Sequence, residues 1–478
     1  MESHRRIINE EPTMILLLIE VLKEFNVRVP TVFTYYSTRM ILAAMTSLLL
    51  SLFMGPFFIR KLYELKIGQP IRKEDCPLLG QLHEKKQNTP TMGGLLILFC
   101  MVVSLLLWMD LTHVFTIILL ITTLFLGFIG GRDDYLKLKY KNTKGMSGKK
   151  KLLYQGILSA GIATYFLVGP QVSNTENSWL QPPVIKEFNL TSSAQQGIAN
   201  KAIFVISSQE PAERKEVDVK DRDEGIALAI AEERSLTDAP LQPVGLSDEI
   251  MKVAANNEAD SQKLSLTEYA SRIYLPFFKE PVLILSGVAL FLMFFFIFFV
   301  IAGCSNAVNL TDGLDGLATG CIIMVAAALG LVAFVSNHIE IARYLNTLYI
   351  EGSGEIAIYL CALMGACLGF LWYNGYPAQV FMGDTGSLAM GGVIGVSAVL
   401  LRREFFLGLV GGVFVAEALS VILQVLSYRY RNKKRIFLIA PLHHHFEYKG
   451  WPETKVVVRF WIVGLLLALI GVASLKFQ

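Results

Sequence analysis

The chain has 478 residues, of which 53% are hydrophobic and only 17% are charged. Soluble domains carry about 25% charged residues, so this composition leaves too little charge to cover a water-facing surface. A disordered chain is excluded because such chains are poor in apolar residues. Six cysteines in a chain of this length also exclude a small disulfide scaffold. The composition therefore predicts a membrane protein that crosses the bilayer several times.

Ten stretches of the sequence are apolar over roughly the length that a bilayer-crossing helix needs, about 20 residues. They lie at 38–58, 93–111, 113–130, 152–169, 281–302, 317–336, 355–373, 385–401, 404–426 and 456–475. We therefore expect an all-α bundle of about ten transmembrane helices. The expected order is an N-terminal interfacial segment (1–37), helices one to four (38–169), an extracytoplasmic insertion (170–280) and helices five to ten (281–478).

The distribution of Lys and Arg predicts which side of the membrane each loop faces, because cytoplasmic loops carry an excess of them. The loops after spans one, three and nine hold seven, eight and seven basic residues. The loops after spans two, six and eight hold none, one and two. We therefore expect the odd-numbered loops to face the cytoplasm. The insertion, which has 17 acidic and 10 basic residues between Val172 and Arg272, is expected outside.

Polar residues cluster in the odd-numbered loops, whereas the middles of the spans hold almost no charge. Transporters usually place ionisable groups near the bilayer midplane, so this distribution favours an enzyme that works at the membrane surface. The clusters lie at residues 83–94, 133–137, 306–316, 374–387 and 440–452.

Two clusters are rich in aspartate and asparagine. Asp133 and Asp134 are adjacent carboxylates that repel each other unless a cation lies nearby, so they bind magnesium, act as a base, or form a solvated acidic turn. Asn306 with Asn309, and Asp312 with Asp315, are each spaced three residues apart. This spacing predicts one shared helical face for each pair, unless the segment is a turn that caps the next span.

Two other clusters suit phosphate chemistry. Asp384 lies between glycines and precedes Thr385 and Ser387, a pattern that fits magnesium and phosphate oxygens but also fits a helix cap. The run from His443 to His445 has no accompanying Cys or HExxH motif, so phosphate contact, proton transfer or a polar interfacial turn is favoured over zinc.

Glu417 is an ionisable residue within the ninth predicted span. Ser420 and Gln424 fall on the same side of a helix. A carboxylate at this depth is costly unless it is paired, so we expect a packed polar network between helices. Carboxylates, lysines and glycines in an apolar surround together fit magnesium-assisted phosphoryl transfer to a lipid phosphate.

Five motifs are similar to those of a known family. They are TPTMGG (89–94), DDYLK (133–137), NAVNLTDGLDGLA (306–318), FMGDTGS (381–387) and APLHHHFEYKGW (440–451). The set resembles the phospho-N-acetylmuramoyl-pentapeptide transferase family, a branch of the polyprenyl-phosphate N-acetylhexosamine-1-phosphate transferases. The triple histidine with the following FE-x-KGW is the feature that points to the muramoyl branch.

The resemblance implies a magnesium-dependent enzyme of the bacterial inner membrane, usually a homodimer, with its active site facing the cytoplasm. The implied reaction transfers phospho-N-acetylmuramoyl-pentapeptide from UDP to undecaprenyl phosphate and gives lipid I and UMP. The implied partners are these two substrates and membrane lipid, with no nucleic acid.

The resemblance also implies roles for individual residues. Asp384 is the implied magnesium ligand, and Asp133, with Asp134 beside it, is the implied base that deprotonates the lipid phosphate. His443 completes the implied catalytic set. The implied substrate-binding residues are Lys85, Lys86, Thr89, Lys137, Asn306, Asn309, Asp312, Gly313, Leu314, Asp315, Asn374, Phe381, His444 and His445.

Three alternatives stay open at this point. A sister enzyme that transfers GlcNAc-1-phosphate to the same lipid shares the aspartates, and the histidine loop and the choice of UDP-sugar separate the two. A transporter or channel predicts substrate flux across sealed vesicles without a lipid product. A membrane scaffold predicts no magnesium-dependent turnover.

Overall fold

The computed structural model describes residues 31–65, 89–140, 145–172, 182–188 and 261–476. Within these residues the chain forms fourteen α-helices: α1 Tyr36–Glu64, α2 Gly94–Trp108, α3 Val114–Lys139, α4 Gly148–Val172, α5 Leu266–Ser271, α6 Leu290–Thr311, α7 Leu317–Ser336, α8 Ile339–Tyr344, α9 Ser353–Asn374, α10 Gly383–Leu400, α11 Glu404–Val410, α12 Gly412–Tyr430, α13 Leu442–Tyr448 and α14 Glu453–Ser474. Short strands are β1 Ile185–Phe188, β2 Ser261–Leu264, β3 Arg272–Ile273, β4 Leu283–Ile284 and β5 Tyr349–Ile350.

The predicted all-α membrane bundle is confirmed. Among the described residues, eight helices are long and apolar enough to cross a membrane: α1, α3, α6, α7, α9, α10, α12 and α14. Helix α2 is a shorter apolar helix, and α4 covers the fourth predicted span. Most of the N-terminal segment and of the outer insertion lies outside the described residues.

Three predicted spans differ clearly from the structure. The third, expected over 113–130, continues as α3 to Lys139. The fifth was expected over 281–302, but α6 begins at Leu290, because β4 and a 3-10 turn occupy part of the preceding segment. Strand β4 pairs antiparallel with β3, with Arg272 opposite Ile284. The ninth, expected as one helix over 404–426, is two helices that meet at Gly411. Two consecutive glycines lower helix propensity at this point.

Helix α10 is the most buried of the candidate spans, with 89% of its apolar window inside the protein. It packs against α3 and α6, while α9 packs against α1 and α7. The N-terminal end of α10 therefore lies against neighbouring helices rather than lipid. A polar residue there is shielded on most sides, which is the setting needed for a site at the end of a bundle.

The chain divides into two compact units. One comprises Met1–Ile185 and Leu264–Gln478, and it contains all fourteen described helices. The other comprises Lys186–Lys263, of which the structure describes Lys186–Phe188 and residues 261–263.

Candidate active site

Three carboxylates from two helices meet at one end of the bundle. Asp133 and Asp134 lie near the C-terminal end of α3, and Asp384 lies in the first turn of α10. Each contributes one oxygen, and these oxygens lie within 4.8 Å of one another. Carboxylates this close repel each other unless cations offset their charge. The geometry therefore indicates a site for positive charge.

The approach of α3 to α10 depends on a small residue at position 130. A Cβ atom on Gly130 would lie 2.2 Å from the Asp384 carbonyl oxygen, which is far inside van der Waals contact. A Cβ atom on the neighbouring Gly131 would lie 3.7 Å from Thr385 Oγ1, an ordinary contact distance. Gly130 thus permits the first turn of α10 to lie directly on α3.

Asp134 binds the N terminus of α10. Its Oδ2 accepts hydrogen bonds from the Thr385 backbone N–H at 2.9 Å and the Thr385 hydroxyl at 2.7 Å. Its Oδ1 accepts one from the Asp384 backbone N–H at 3.2 Å. The first N–H groups of a helix have no intrahelical acceptor and carry partial positive charge, so a carboxylate stabilises them. Asp134 therefore holds the backbone that carries Asp384.

Two lysines lie among the carboxylates. Lys137 Nζ is 2.8 Å from Asp133 Oδ2 and 3.0 Å from Asp384 Oδ1. Lys151 Nζ, from the first turn of α4, is 2.9 Å from Asp133 Oδ2 and 2.5 Å from Asp384 Oδ2. With Asp134 included, three negative and two positive formal charges leave the cluster at −1. The site therefore keeps an excess of negative charge even with both lysines in place.

The end of α6 contributes an amide to the cluster. Asn309 Nδ2 donates to Asp384 Oδ1 at 3.0 Å and to Ser387 Oγ at 2.8 Å. Asn306, one turn earlier, donates instead to Gln155 Oε1 on α4 at 2.9 Å. Asn309 thus orients Asp384, whereas Asn306 ties α6 to α4.

The expectation that Asp312 and Asp315 share a helical face is wrong. Helix α6 ends at Thr311 and α7 begins at Leu317, so both aspartates lie in the connecting turn. The turn leaves helical geometry at Asp312, with φ −76° and ψ 59°, and re-enters α7 through Gly316 with φ 77°. A positive φ of this kind favours glycine, and it ends the turn that carries both aspartates.

Asp312 faces the carboxylate cluster. Its side chain accepts a hydrogen bond from the Gly383 backbone N–H. Burial raises the pKa of Asp312 to about 7, and the nearby charges of Asp384 and Asp134 contribute to the rise. Asp312 is therefore a fourth acidic group beside the three carboxylates.

Asp315 and Asn374 bond within the loops that border the site. The Asp315 carboxylate accepts from the Ala378 backbone N–H at 3.0 Å, and its own N–H donates to Glu453 Oε1 at 2.8 Å. Asn374 Oδ1 accepts from the Thr319 hydroxyl at 2.9 Å. These contacts hold the α6–α7 turn against the α9–α10 loop.

The loop before α10 pairs with the segment before α2. The Phe381 backbone N–H donates to the Pro90 carbonyl at 2.8 Å, and its carbonyl accepts from the Gly93 N–H at 2.8 Å. Thr89 and Leu314 have buried side chains. The TPTMGG and FMGDTGS motifs are thus adjacent in space.

The three consecutive histidines have three different partners. His443 Nδ1 lies 3.1 Å from Glu417 Oε2, and His444 Nδ1 lies 2.7 Å from Glu447 Oε2. His445 Nδ1 accepts a hydrogen bond from the Leu438 backbone N–H in the preceding loop at 3.1 Å. The three imidazoles therefore face three separate groups rather than one common point.

The polar network predicted around Glu417 is confirmed. Its side chain is fully buried and accepts from both the backbone N–H and the ring of His443. The Ser420 hydroxyl donates to the Glu417 carbonyl at 2.7 Å. Gln424 lies further along α12 and bonds the backbone of the loop that precedes α13. The network therefore connects α12 to the histidine loop.

Comparisons with known proteins identify the family. Residues 260–402 match the model of glycosyl transferase family 4, and residues 86–98 match phospho-N-acetylmuramoyl-pentapeptide-transferase signature 1. A phospho-N-acetylmuramoyl-pentapeptide-transferase from Protochlamydia amoebophila (strain UWE25) is 64% identical over 467 residues, which cover 97% of this chain and 100% of the relative. The chain belongs to the phospho-N-acetylmuramoyl-pentapeptide transferase family.

A second member of the phospho-N-acetylmuramoyl-pentapeptide transferase family, from Desulfotalea psychrophila (strain LSv54 / DSM 12343), is 40% identical over 447 residues. That match covers 94% of this chain and 95% of the relative. The membership and the eight apolar helices make the protein a multi-pass membrane transferase. The resemblance drawn from the motifs is thereby confirmed.

For this member of the phospho-N-acetylmuramoyl-pentapeptide transferase family, eleven of the predicted site residues fall into three sets. The structure brings together Asp133, Asp134, Lys137, Asn309, Asp312 and Asp384. Asn306, Asp315 and Asn374 bond neighbouring helices and loops. Lys85 and Lys86 lie outside the described residues.

Sequence reasoning missed Lys151 and the role of Thr385 as a partner of Asp134. Lys151 is the last residue of a run of three lysines in a basic loop, and such runs ordinarily reflect the positive-inside bias. What distinguishes Lys151 is the start of α4 at Gly148, which places it in the first helical turn facing Asp384. A helix boundary in that loop is the signal that could have identified it.

Proposed function

We propose that this protein transfers phospho-N-acetylmuramoyl-pentapeptide from its UDP conjugate to undecaprenyl phosphate, releasing UMP and forming lipid I. The observation that carries the proposal is 64% identity over 97% of the chain to a protein of that name. The carboxylate–lysine cluster at the end of an apolar bundle supports it. A water-soluble donor and a lipid acceptor require such a polar site at the bilayer boundary.

We propose Mg²⁺ as the cation of this site, with Asp384 as its main ligand. Carboxylate oxygens are the hard ligands that Mg²⁺ prefers, and the cluster retains a net negative charge beside its lysines. The Asp384 side chain is 14% exposed, against 0% for Asp133 and 3% for Asp134. It is therefore the carboxylate most open to a substrate. When bound, Mg²⁺ offsets the charge of the diphosphate oxygens.

Asp133 is the proposed base for the lipid phosphate. Asp133 Oδ1 accepts a hydrogen bond from the Met146 backbone N–H, and Asp133 Oδ2 faces Lys137 and Lys151. These contacts hold the Asp133 carboxylate beside both lysines. The proton it would take is the second proton of a phosphate monoester, whose pKa is about 6. The two lysines are placed to hold the phosphates as the lipid oxygen attacks the sugar-linked phosphorus.

We further propose that the site faces the cytoplasm, where the UDP-linked donor is made. The loop from Arg132 to Lys151 supports this orientation with eight basic residues. A homodimer in the inner membrane is proposed from the family resemblance. The mass of the purified protein in a defined detergent tests it, with a two-chain particle expected and a single chain contradicting it.

One assay tests the proposed reaction. Purified protein is given undecaprenyl phosphate with either UDP-N-acetylmuramoyl-pentapeptide or UDP-GlcNAc, and UMP release is measured. We expect release with the pentapeptide donor only, together with a lipid-linked product. Release with UDP-GlcNAc alone would assign the sister reaction. Flux of donor into sealed vesicles without a lipid product would assign transport.

A further inference from the structure

A buried carboxylate and a buried imidazole form a pair next to the α6–α7 turn. Glu417 on α12 and His443 on α13 both have side chains that are 0% exposed. Glu417 accepts from the His443 backbone N–H at 3.1 Å and lies 3.1 Å from its Nδ1. A carboxylate only accepts hydrogen bonds, so Nδ1 carries the proton. Glu417 thus fixes both the position and the tautomer of His443.

The other ring nitrogen of His443 faces the α6–α7 turn. Among the described residues, His443 Nε2 is buried and has no hydrogen-bond partner. It lies against Gly313, where an added Cβ atom would come within 2.3 Å of Nε2. Gly313 directly follows Asp312, which faces Asp384. Buried polar atoms in native proteins are almost always bonded, so this nitrogen is suited to a ligand in the site.

We propose that Glu417 is a positioning residue that holds His443 so that Nε2 donates a hydrogen bond to the diphosphate of the UDP-linked substrate. Because Nδ1 already carries a proton, Nε2 donates only when the imidazole is a cation. Glu417 supplies the counter-charge that stabilises this cation. His443 then offsets the charge that develops on the UMP oxygen as its bond to phosphorus breaks. This inference rests on the proposed function.

Other titratable groups border the pair and stay in the chain when Glu417 is replaced. The ring of His444 lies edge-on to that of His443, with ring centroids 4.1 Å apart. The remaining groups are Glu447, which bonds His444, Asp312 across the α6–α7 turn, Glu453 on α14, and the Cys321 thiol of α7, which faces Glu417. Because the Cys321 thiol also faces Glu417, the His443→Gln background is needed to assign a change in pH dependence to His443.

The test is the variant Glu417→Gln, which keeps the side-chain size and removes the charge. We expect kcat to fall about 100-fold, in the range for a lost acid–base group, with little change in KM for undecaprenyl phosphate. The pH profile of kcat should change shape, because the charge that faces His443 is lost. A profile parallel to wild type would overturn the proposal.

A double-mutant cycle tests whether Glu417 acts through His443. In a His443→Gln background, Glu417→Gln should cause no further loss of kcat, because the group it positions is absent. Glu340→Gln, which makes the same change at an exposed acid in the first turn of α8, is the matched control and should behave as wild type. Independent, multiplying losses would overturn the proposal.

Folding and the reaction itself are measured separately. If Glu417→Gln fails to fold, the variant His443→Gln alone decides, since an unchanged pH profile of kcat in that variant would also overturn the proposal. UMP release by the wild-type protein tests the proposed function in the same assay, so failure of one claim is distinguishable from failure of the other.

Discussion

Replacement of Asp134 by asparagine should damage both stability and catalysis, because Asp134 holds the first turn of α10. Asparagine keeps one acceptor oxygen, so it cannot reproduce the three bonds to Asp384 and Thr385, and its amide donors would face N–H groups. Hydrogen bonds to a charged group stabilise by about 1.5–3 kcal/mol each. The loss of one or two of these hydrogen bonds is offset in part because the repulsion between neighbouring carboxylates is relieved. The free energy of unfolding should therefore fall by about 2 kcal/mol.

The catalytic loss follows from the position of Asp384. A misplacement of about 1 Å in a catalytic group costs about 100-fold in rate, so we expect a fall in kcat of that order for Asp134→Asn. Thermal unfolding in detergent and UMP release are the two measurements. The matched control is Glu340→Gln, which removes an exposed acid from the first turn of α8. Wild-type stability and turnover in Asp134→Asn would refute the positioning role.

Three further predictions concern packing, charge and metal. Gly130→Ala should lower UMP release at least about 100-fold, because the added Cβ would meet the Asp384 carbonyl at 2.2 Å. The control Gly131→Ala should retain activity. Equal activities of the two variants would contradict the packing argument. Lys151→Met should lower kcat by about 100-fold through loss of a phosphate-facing cation. The same change at its exposed neighbour, Lys150→Met, should leave kcat unchanged. Wild-type activity of Lys151→Met would show that Lys151 is not part of the site. Activity should require Mg²⁺ or Mn²⁺ and survive a zinc-selective chelator. Loss of activity with that chelator, restored only by added zinc, would contradict the assignment of an oxygen-ligand magnesium site.

The sequence was sufficient for the membrane architecture because the bilayer imposes a simple rule of length and hydropathy. Every predicted span overlaps a helix, and the ninth overlaps two, α11 and α12. The boundaries that differ depend on local chemistry. The break at Gly411 lies within an apolar stretch whose mean hydropathy does not change, so a window average cannot detect it.

The candidate site was only partly predictable. Asp133, Asp134 and Asp384 stand out because charges are rare near apolar spans, and the structure brings them together. The spacing of Asp312 and Asp315 was misleading, since a period of three residues has meaning only inside a helix and both lie in a turn. Tertiary packing rather than sequence spacing decides which of the two faces the cluster.

The most direct test of a cation site between α3 and α10 measures binding without turnover. Mn²⁺ is titrated into the purified wild-type protein and the Asp384→Asn variant, and free Mn²⁺ is followed by electron paramagnetic resonance. We expect a bound ion in the wild type that Asp384→Asn loses, with both proteins folded and the variant releasing no UMP. Equal Mn²⁺ affinity in the two proteins would contradict the assignment of Asp384 as the ligand.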